Sequence, residues 1–136
     1  RSYNHDCARP LFACMNPELT YTLPVYQTAS GASDIMMHTM ERYFTNTTDV
    51  ELIDRMSEGL LVAVREATIR AVDKPDDYEA RATLMWAGSL SHNGLTGTGR
   101  QSDFASHKIE HELGGMFDVA HGAGLCAIWG SWARYV

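Results

Sequence analysis

One carboxylate and three imidazoles limit what this chain can fold into. Asp34 and His38 stand four residues apart in GASDIMMHTMERY, and His107 and His121 stand fourteen apart in SHKIEHELGGMFDVAHGAG. On an α-helix the first pair shares one face, with an axial offset of about 6 Å. The second pair is too far apart to share a turn, so these residues must come from two elements. If all four converge, packed helices must bring them together, and the resulting ligand set suits iron(II), zinc or a neighbouring divalent ion.

Each position also has a plainer reading. An Asp–His pair at i, i+4 often makes only a surface hydrogen bond, and His121 between Ala120 and Gly122 can be a satisfied turn histidine. His107 and His111, one turn apart, form either a two-imidazole metal face or a solvated stripe. His111-Glu112 begins an HExxH pattern, but Gly115 stands where the second histidine would be, which removes the zinc-protease reading. No G-x-S-x-G elbow is present. The run TGTGR at 96–100 follows a helical pattern instead of a strand, so it is a weak match to a phosphate turn.

Apolar spacing outlines a mainly α chain. Ala32, Ile35, Met36, Thr39, Met40 and Tyr43 recur at three-and-four spacing and predict a helix from about Val25 to Phe44. Gly31 offers a place for close approach of a helix or ligand. Thr48-x-x-Glu51 has the form of a capping box ahead of Leu52, Met56, Leu60 and Val64. Pro75 ends that helix, and Pro75-Asp-Asp77 opens a third, carrying Tyr78, Ala82, Met85 and Leu90. Ser102-Asp103 is placed to cap a fourth with His107, Glu110, His111 and Phe117, which Gly114-Gly115 should weaken. A last apolar segment, Leu125 to Val136, is entered through His121-Gly-Ala-Gly124. Near the start, residues 10–15 read as a short strand and Asn16-Pro17 as a turn. The sum is one domain of about five helices, with 136 residues enough to bury roughly two thirds of the unfolded surface.

Charge and cysteine usage narrow the partners. The net charge of −6 and the absence of a basic run leave no nucleic-acid footprint and give no reason to expect a membrane surface. Cys7, Cys14 and Cys126 are an odd, scattered set, which argues for a reducing compartment and against a thiolate zinc site. A cytoplasmic location is expected. The chain opens at Arg1 without an initiator Met and stops in an apolar-aromatic run, so it is expected to be a piece cut at both ends.

Three long runs resemble one family. MNPELTYTLPVYQTASGASDIMMHTMERYFTN, YEARATLMWAGSLSHNGLTGTGR and FASHKIEHELGGMFDVAHGAGLCAIWGSWARYV are similar to the iron-containing, or group III, alcohol dehydrogenases, nearest to the branch of NADP-dependent butanol dehydrogenases and broad aldehyde reductases. The resemblance implies the helical C-terminal, metal-binding domain of a two-domain, dehydroquinate-synthase-like fold. The N-terminal α/β domain that holds the nicotinamide cofactor is absent from these residues. Residues 1–23 would be a remnant of the interdomain connection, and 24–136 the helical domain, cut short at its C-terminus.

The same resemblance implies that Asp34, His38, His107 and His121 bind one divalent metal, Fe2+ or Zn2+. It gives His111 a place near nicotinamide and substrate, where an imidazole with an ordinary pKa of about 6.5 could relay a proton. The implied activity of the full-length protein is hydride transfer between NADP(H) and a primary alcohol or aldehyde such as butanol or butanal, in a homodimer. The present stretch alone is expected to be inactive and to expose apolar surface. A non-catalytic metal-binding helical module and a polyol or glycerol dehydrogenase are the alternatives. Two departures from the family pattern are Gly114-Gly115, where Ser, Thr or Ala is usual, and Gly130, where Pro is common.

Overall fold

The computed structural model describes residues 5–136, and five α-helices make up its body: α1 Val25–Tyr43, α2 Glu51–Asp73, α3 Tyr78–His92, α4 Ala105–Phe117 and α5 His121–Tyr135. No strand occurs among the described residues. Helix α1 packs against α2, α3 and α5, α2 also packs against α3, and α4 packs against α5. A mainly α domain was the expectation, and the helices start and stop close to the sequence signals.

The core between α1, α2 and α3 is built from small side chains. Ala32, Val64, Ala67, Ala71, Ala80, Leu84 and Ala87 are buried together, with Ile35, Met36 and Leu60 packed around them. Alanine at these positions favours helix and lets the axes come close. Arg81, itself buried, ties the start of α3 to its neighbours: Nε donates to Pro75 O at 2.8 Å and Nη1 to Thr28 Oγ1 at 2.9 Å. Asp77 caps α3 by accepting from Ala80 N at 3.0 Å, where the sequence placed the helix start.

Several local expectations are corrected. Residues 10–15 form no strand. Leu11 and Phe12 are exposed, and an isolated extended segment without a partner edge has nothing to pair its backbone. Asn16-Pro17 does mark a turn, a 3-10 helix Pro17–Thr20 with Asn16 accepting from Glu18 N at 3.1 Å. The Thr48 capping box does not form. Asp49 adopts a left-handed conformation (φ 64°), Thr48 Oγ1 bonds the Asp49 carboxylate instead, and α2 begins only at Glu51.

At Gly31 no neighbouring atom would meet an added Cβ, so no helix closes on it. Asp103 accepts from Ala105 N at 2.8 Å, just before α4, whose cap position falls on Phe104. The glycine pair does not interrupt α4, which runs to Phe117 and ends where Asp118 turns left-handed (φ 53°). The segment HGAG is not an entry loop but the first turn of α5. A Cβ on Gly122 would collide with the Ser30 carbonyl of α1, and one on Gly124 would lie 2.7 Å from Glu110 Oε1. Those two glycines let α5 meet α1 and α4 at backbone distance.

The TGTGR run is structural. Leu95–Gly97 is a 3-10 turn whose buried Thr96 accepts from Arg42 Nη1 at 3.1 Å, and the same guanidinium reaches Ser91 O. Arg100 Nη1 donates to Tyr43 O at 3.0 Å, closing the C-terminal end of α1. Among the described residues, no helix is long and apolar enough to cross a membrane. Ile109, Met116 and Phe117 of α4 are among the exposed apolar side chains.

Candidate metal centre

Five of the six histidines gather around Asp34. Helix α1 presents Asp34 and His38 from successive turns. His107 comes from the first turn of α4, and His121 opens α5. His107 Nε2 lies 3.3 Å from Asp34 Oδ1, His121 Nε2 lies 3.4 Å from it, and His38 Nε2 lies 3.6 Å from the same oxygen. Atoms bound about 2.0–2.2 Å from one ion at tetrahedral corners are themselves roughly 3.3–3.6 Å apart. All three imidazoles of the predicted set thus stand close to one Asp34 oxygen, with Asp34, His107 and His121 forming one compact set of donors and His38 grouping more tightly with Asp34 and His92.

Two buried carboxylates fix the imidazoles. Glu41, fully buried, contacts His107 Nδ1 through Oε2 and accepts from Ser106 N at 2.6 Å through Oε1. Glu110, equally buried, contacts His121 Nδ1 through Oε2. With each Nδ1–H donated to a carboxylate, a neutral ring turns its Nε2 lone pair toward Asp34. Lone pairs facing a carboxylate oxygen at 3.3–3.4 Å require a cation or a proton between them. This pairing of carboxylate, histidine and open Nε2 is the arrangement that orients metal-binding imidazoles, and the donor set fits a divalent ion.

The electrostatics follow from the same contacts. Burial works to raise the Asp34 pKa, but hydrogen bonds from His107 and His92 and the nearby His38 and His121 outweigh it, holding the carboxyl well below the usual range. For His107, burial works downward, yet its bonds to Asp34 and Glu41 push it up to about 9. For His38, burial and then His92 lower the pKa to about 3, against the pull of Asp34. Without an ion, the charge that the His107–Asp34 contact calls for is a proton on His107, which a bound cation would displace, while His38 stays neutral with a lone pair to donate.

His111 lies one turn beyond His107 and stacks on His121, with ring centroids 5.2 Å apart and planes 23° apart. With Glu110, Gly114, Val119 and His121 it lines an open cleft of about 690 Å³. It faces the cluster from the solvent side, and its ring contacts are with His107 and His121.

Three participants were missed in the sequence: Glu41, Glu110 and His92. Glu41 could have been found, since Asp34, His38 and Glu41 follow one helical stripe at spacings of four and three. Glu110 sits three residues after His107, a similar signal. His92 ends α3, which carried no suspected ligand. Its Nε2 lies 3.3 Å from Asp34 Oδ2.

Comparison with known proteins places this geometry in a lineage. The model of the "Fe-containing alcohol dehydrogenase family, C-terminal" matches residues 28–136. The chain is 46% identical over 132 residues to NADH-dependent butanol dehydrogenase B of Clostridium acetobutylicum, covering 97% of this chain and 34% of that protein. It is 39% identical over 128 residues to the NADPH-dependent aldehyde reductase YqhD of Escherichia coli, covering 94% and 33%. The crystal structure of NADH-dependent butanol dehydrogenase A from Thermotoga maritima superposes with a TM-score of 0.85 at 40% identity, over 88% of this chain and 30% of that one. The chain spans about a third of the length of these relatives.

Proposed function

The chain belongs to the Fe-containing alcohol dehydrogenase family, matching its C-terminal domain, and from that premise we propose that the full-length protein interconverts small primary alcohols and aldehydes, of the butanol and butanal type, with a nicotinamide cofactor. The observation that carries this reading is the convergence of the His107, His121 and His38 Nε2 atoms on Asp34 Oδ1. A divalent ion bound there, iron(II) or zinc, would supply Lewis acidity to an alcohol or carbonyl oxygen. Nicotinamide would supply or accept the hydride.

What these residues contribute is position and proton traffic. Asp34, His38, His107 and His121 are the proposed ligands. Glu41 and Glu110 hold two of the rings in the tautomer that keeps Nε2 open. His111, on the cleft side of His121, is the proposed proton carrier between the substrate oxygen and solvent.

The test is a metal and cofactor assay on the full-length protein with butanal. Activity should fall on chelation and return with iron(II) or zinc. The relatives carry NADH and NADPH in their names, so both are assayed; the branch resemblance favours NADPH. Full activity in protein shown to be metal-free would overturn the proposal.

His111→Gln should lower turnover roughly tenfold with metal content unchanged. That is less than the 10²–10⁴ typical of a proton-transfer group, because water reaches the same open cleft. Loss of bound metal in step with activity would make His111 a ligand instead.

A further inference from the structure

His107 and His121 each have a buried carboxylate behind Nδ1. His38 does not: its Nδ1 is buried with no hydrogen-bond partner among the described residues, so packing must set its ring. The His92 ring is the closest of those around it, with centroids 3.8 Å apart, against 4.3 Å for His107 and 5.5 Å for Phe104. The same His92 meets Asp34. While Asp34 Oδ1 faces His107 and His121, its Oδ2 lies 3.3 Å from His92 Nε2.

His92 ends α3 and reaches both groups from outside the proposed ligand set. A carboxylate oxygen only accepts, so a bond to Asp34 Oδ2 needs a hydrogen on Nε2. With that hydrogen in place, the nitrogen has no lone pair to give an ion. The far side of the ring allows it. Ser91 Oγ, 2.7 Å from Nδ1, can donate to that nitrogen in a neutral ring, and Gly88 O, 2.8 Å away, accepts from it when the ring carries two hydrogens. Either way Nε2 donates to Asp34, and the last turn of α3 aims the ring.

We propose that His92 is the positioning residue for the α1 half of the metal centre: its Nε2–H holds Asp34 Oδ2, and its ring backs the His38 imidazole. The inference deepens the proposed function and rests on its single ion, held by Asp34, His38, His107 and His121. A carboxylate with both oxygens free can turn and grip an ion through two. Held at Oδ2, Asp34 offers Oδ1 alone. That restriction keeps a place at the ion for the substrate oxygen, the open position that catalytic metal sites require. His92 thus does for Asp34 and His38 what Glu41 and Glu110 do for His107 and His121.

The test uses the full-length protein loaded with cobalt(II), as the parent, His92→Leu and His92→Gln. Leucine removes the donor, whereas glutamine returns an N–H toward Asp34 Oδ2. One ion per chain is expected in all three. Affinity for cobalt(II), measured by chelator competition, should fall about 10–100-fold in His92→Leu and recover most of that loss in His92→Gln. The visible absorption of bound cobalt(II) should shift and weaken in His92→Leu, as the second carboxylate oxygen enters, and regain the parental form in His92→Gln. The His92 side chain is 42% exposed, so urea stability should change little. Lower stability in His92→Leu with parental affinity and spectrum would mark a merely structural residue and overturn the proposal. So would a His92→Gln protein that behaves as His92→Leu does. Parental behaviour of His92→Leu beside a parent that needs metal for activity sinks this inference alone, whereas a parent that binds no metal sinks the proposed function with it.

Discussion

Gly122→Ala should cost more than about 3 kcal/mol and strip the metal centre, beyond the 1–3 kcal/mol usual for an overpacked side chain. The new Cβ would overlap the Ser30 carbonyl oxygen, and its next neighbours are the Ser30 carbonyl carbon and Cα. All three are backbone atoms of α1, so no side chain can swing aside. Relief requires α5 to move off α1, and α5 begins at His121, one of the four proposed ligands. Stability and metal content should fall together, read by urea unfolding and by metal analysis of the purified protein. Gly130→Ala is the control, because nothing lies within 4 Å of a Cβ there and α5 runs through it unbroken. That change should be neutral or stabilising by up to about 1 kcal/mol, as alanine is the better helix former. An alanine at 122 with parental stability and full metal content would contradict the described approach of α5 to α1.

Glu41→Ala comes next in expected effect. Glu41 is fully buried, and its two oxygens serve Ser106 N and His107 Nδ1. Its removal leaves two donors without partners and frees the His107 ring to turn. Metal affinity should fall about 10–100-fold, the usual cost of losing a carboxylate behind a ligating histidine. Stability should fall by about 1–3 kcal/mol for the unsatisfied buried groups. Glu41→Gln separates the two effects. Its side-chain oxygen can still accept from Ser106 N, so most stability should survive. Its amide would donate to His107 Nδ1, however, forcing the ring hydrogen onto Nε2, where it blocks a metal. Metal affinity should therefore drop nearly as far as in Glu41→Ala, measured by competition with a chromogenic chelator. Parental affinity in the Gln variant would show that Glu41 does not set the tautomer.

Most of the helical layout was legible because it is locally encoded. The stripe from Ala32 to Tyr43, the stop at Pro75 and the Asp77 cap each act within a few residues, and α1 and α3 fall where these signals put them. What escaped depends on contacts far along the chain. The start of α5 at His121 is stabilised against Ser30 and Glu110, so its Gly-rich first turn looked like a loop when read alone. Residues 10–15 have the composition of a strand but no sheet edge to join among the described residues. At the centre, Asp34, His38, His107 and His121 could be named from their type, spacing and family resemblance. The acids behind two of them were harder to see, since a buried glutamate in a helix resembles a surface one until its partner is known. His92 had no such pattern. It reaches Asp34 across 58 positions of sequence, a distance that only the packing of α3 on α1 closes.

The way α4 is attached has a consequence for exchange. Its helix-to-helix packing is on α5, to which Asp118–Ala120 joins it, while its tie to α1 runs through His107 and Ser106 to Glu41 and Asp34. Because α5 is itself seated on α1, α4 alone is the hinged flap, and an ion bound at the centre would be the rivet across its free side. An ion leaving such a seat waits for the flap to lift. Its residence time is then governed by local opening of a few polar contacts, and much less by the intrinsic strength of the imidazole bonds.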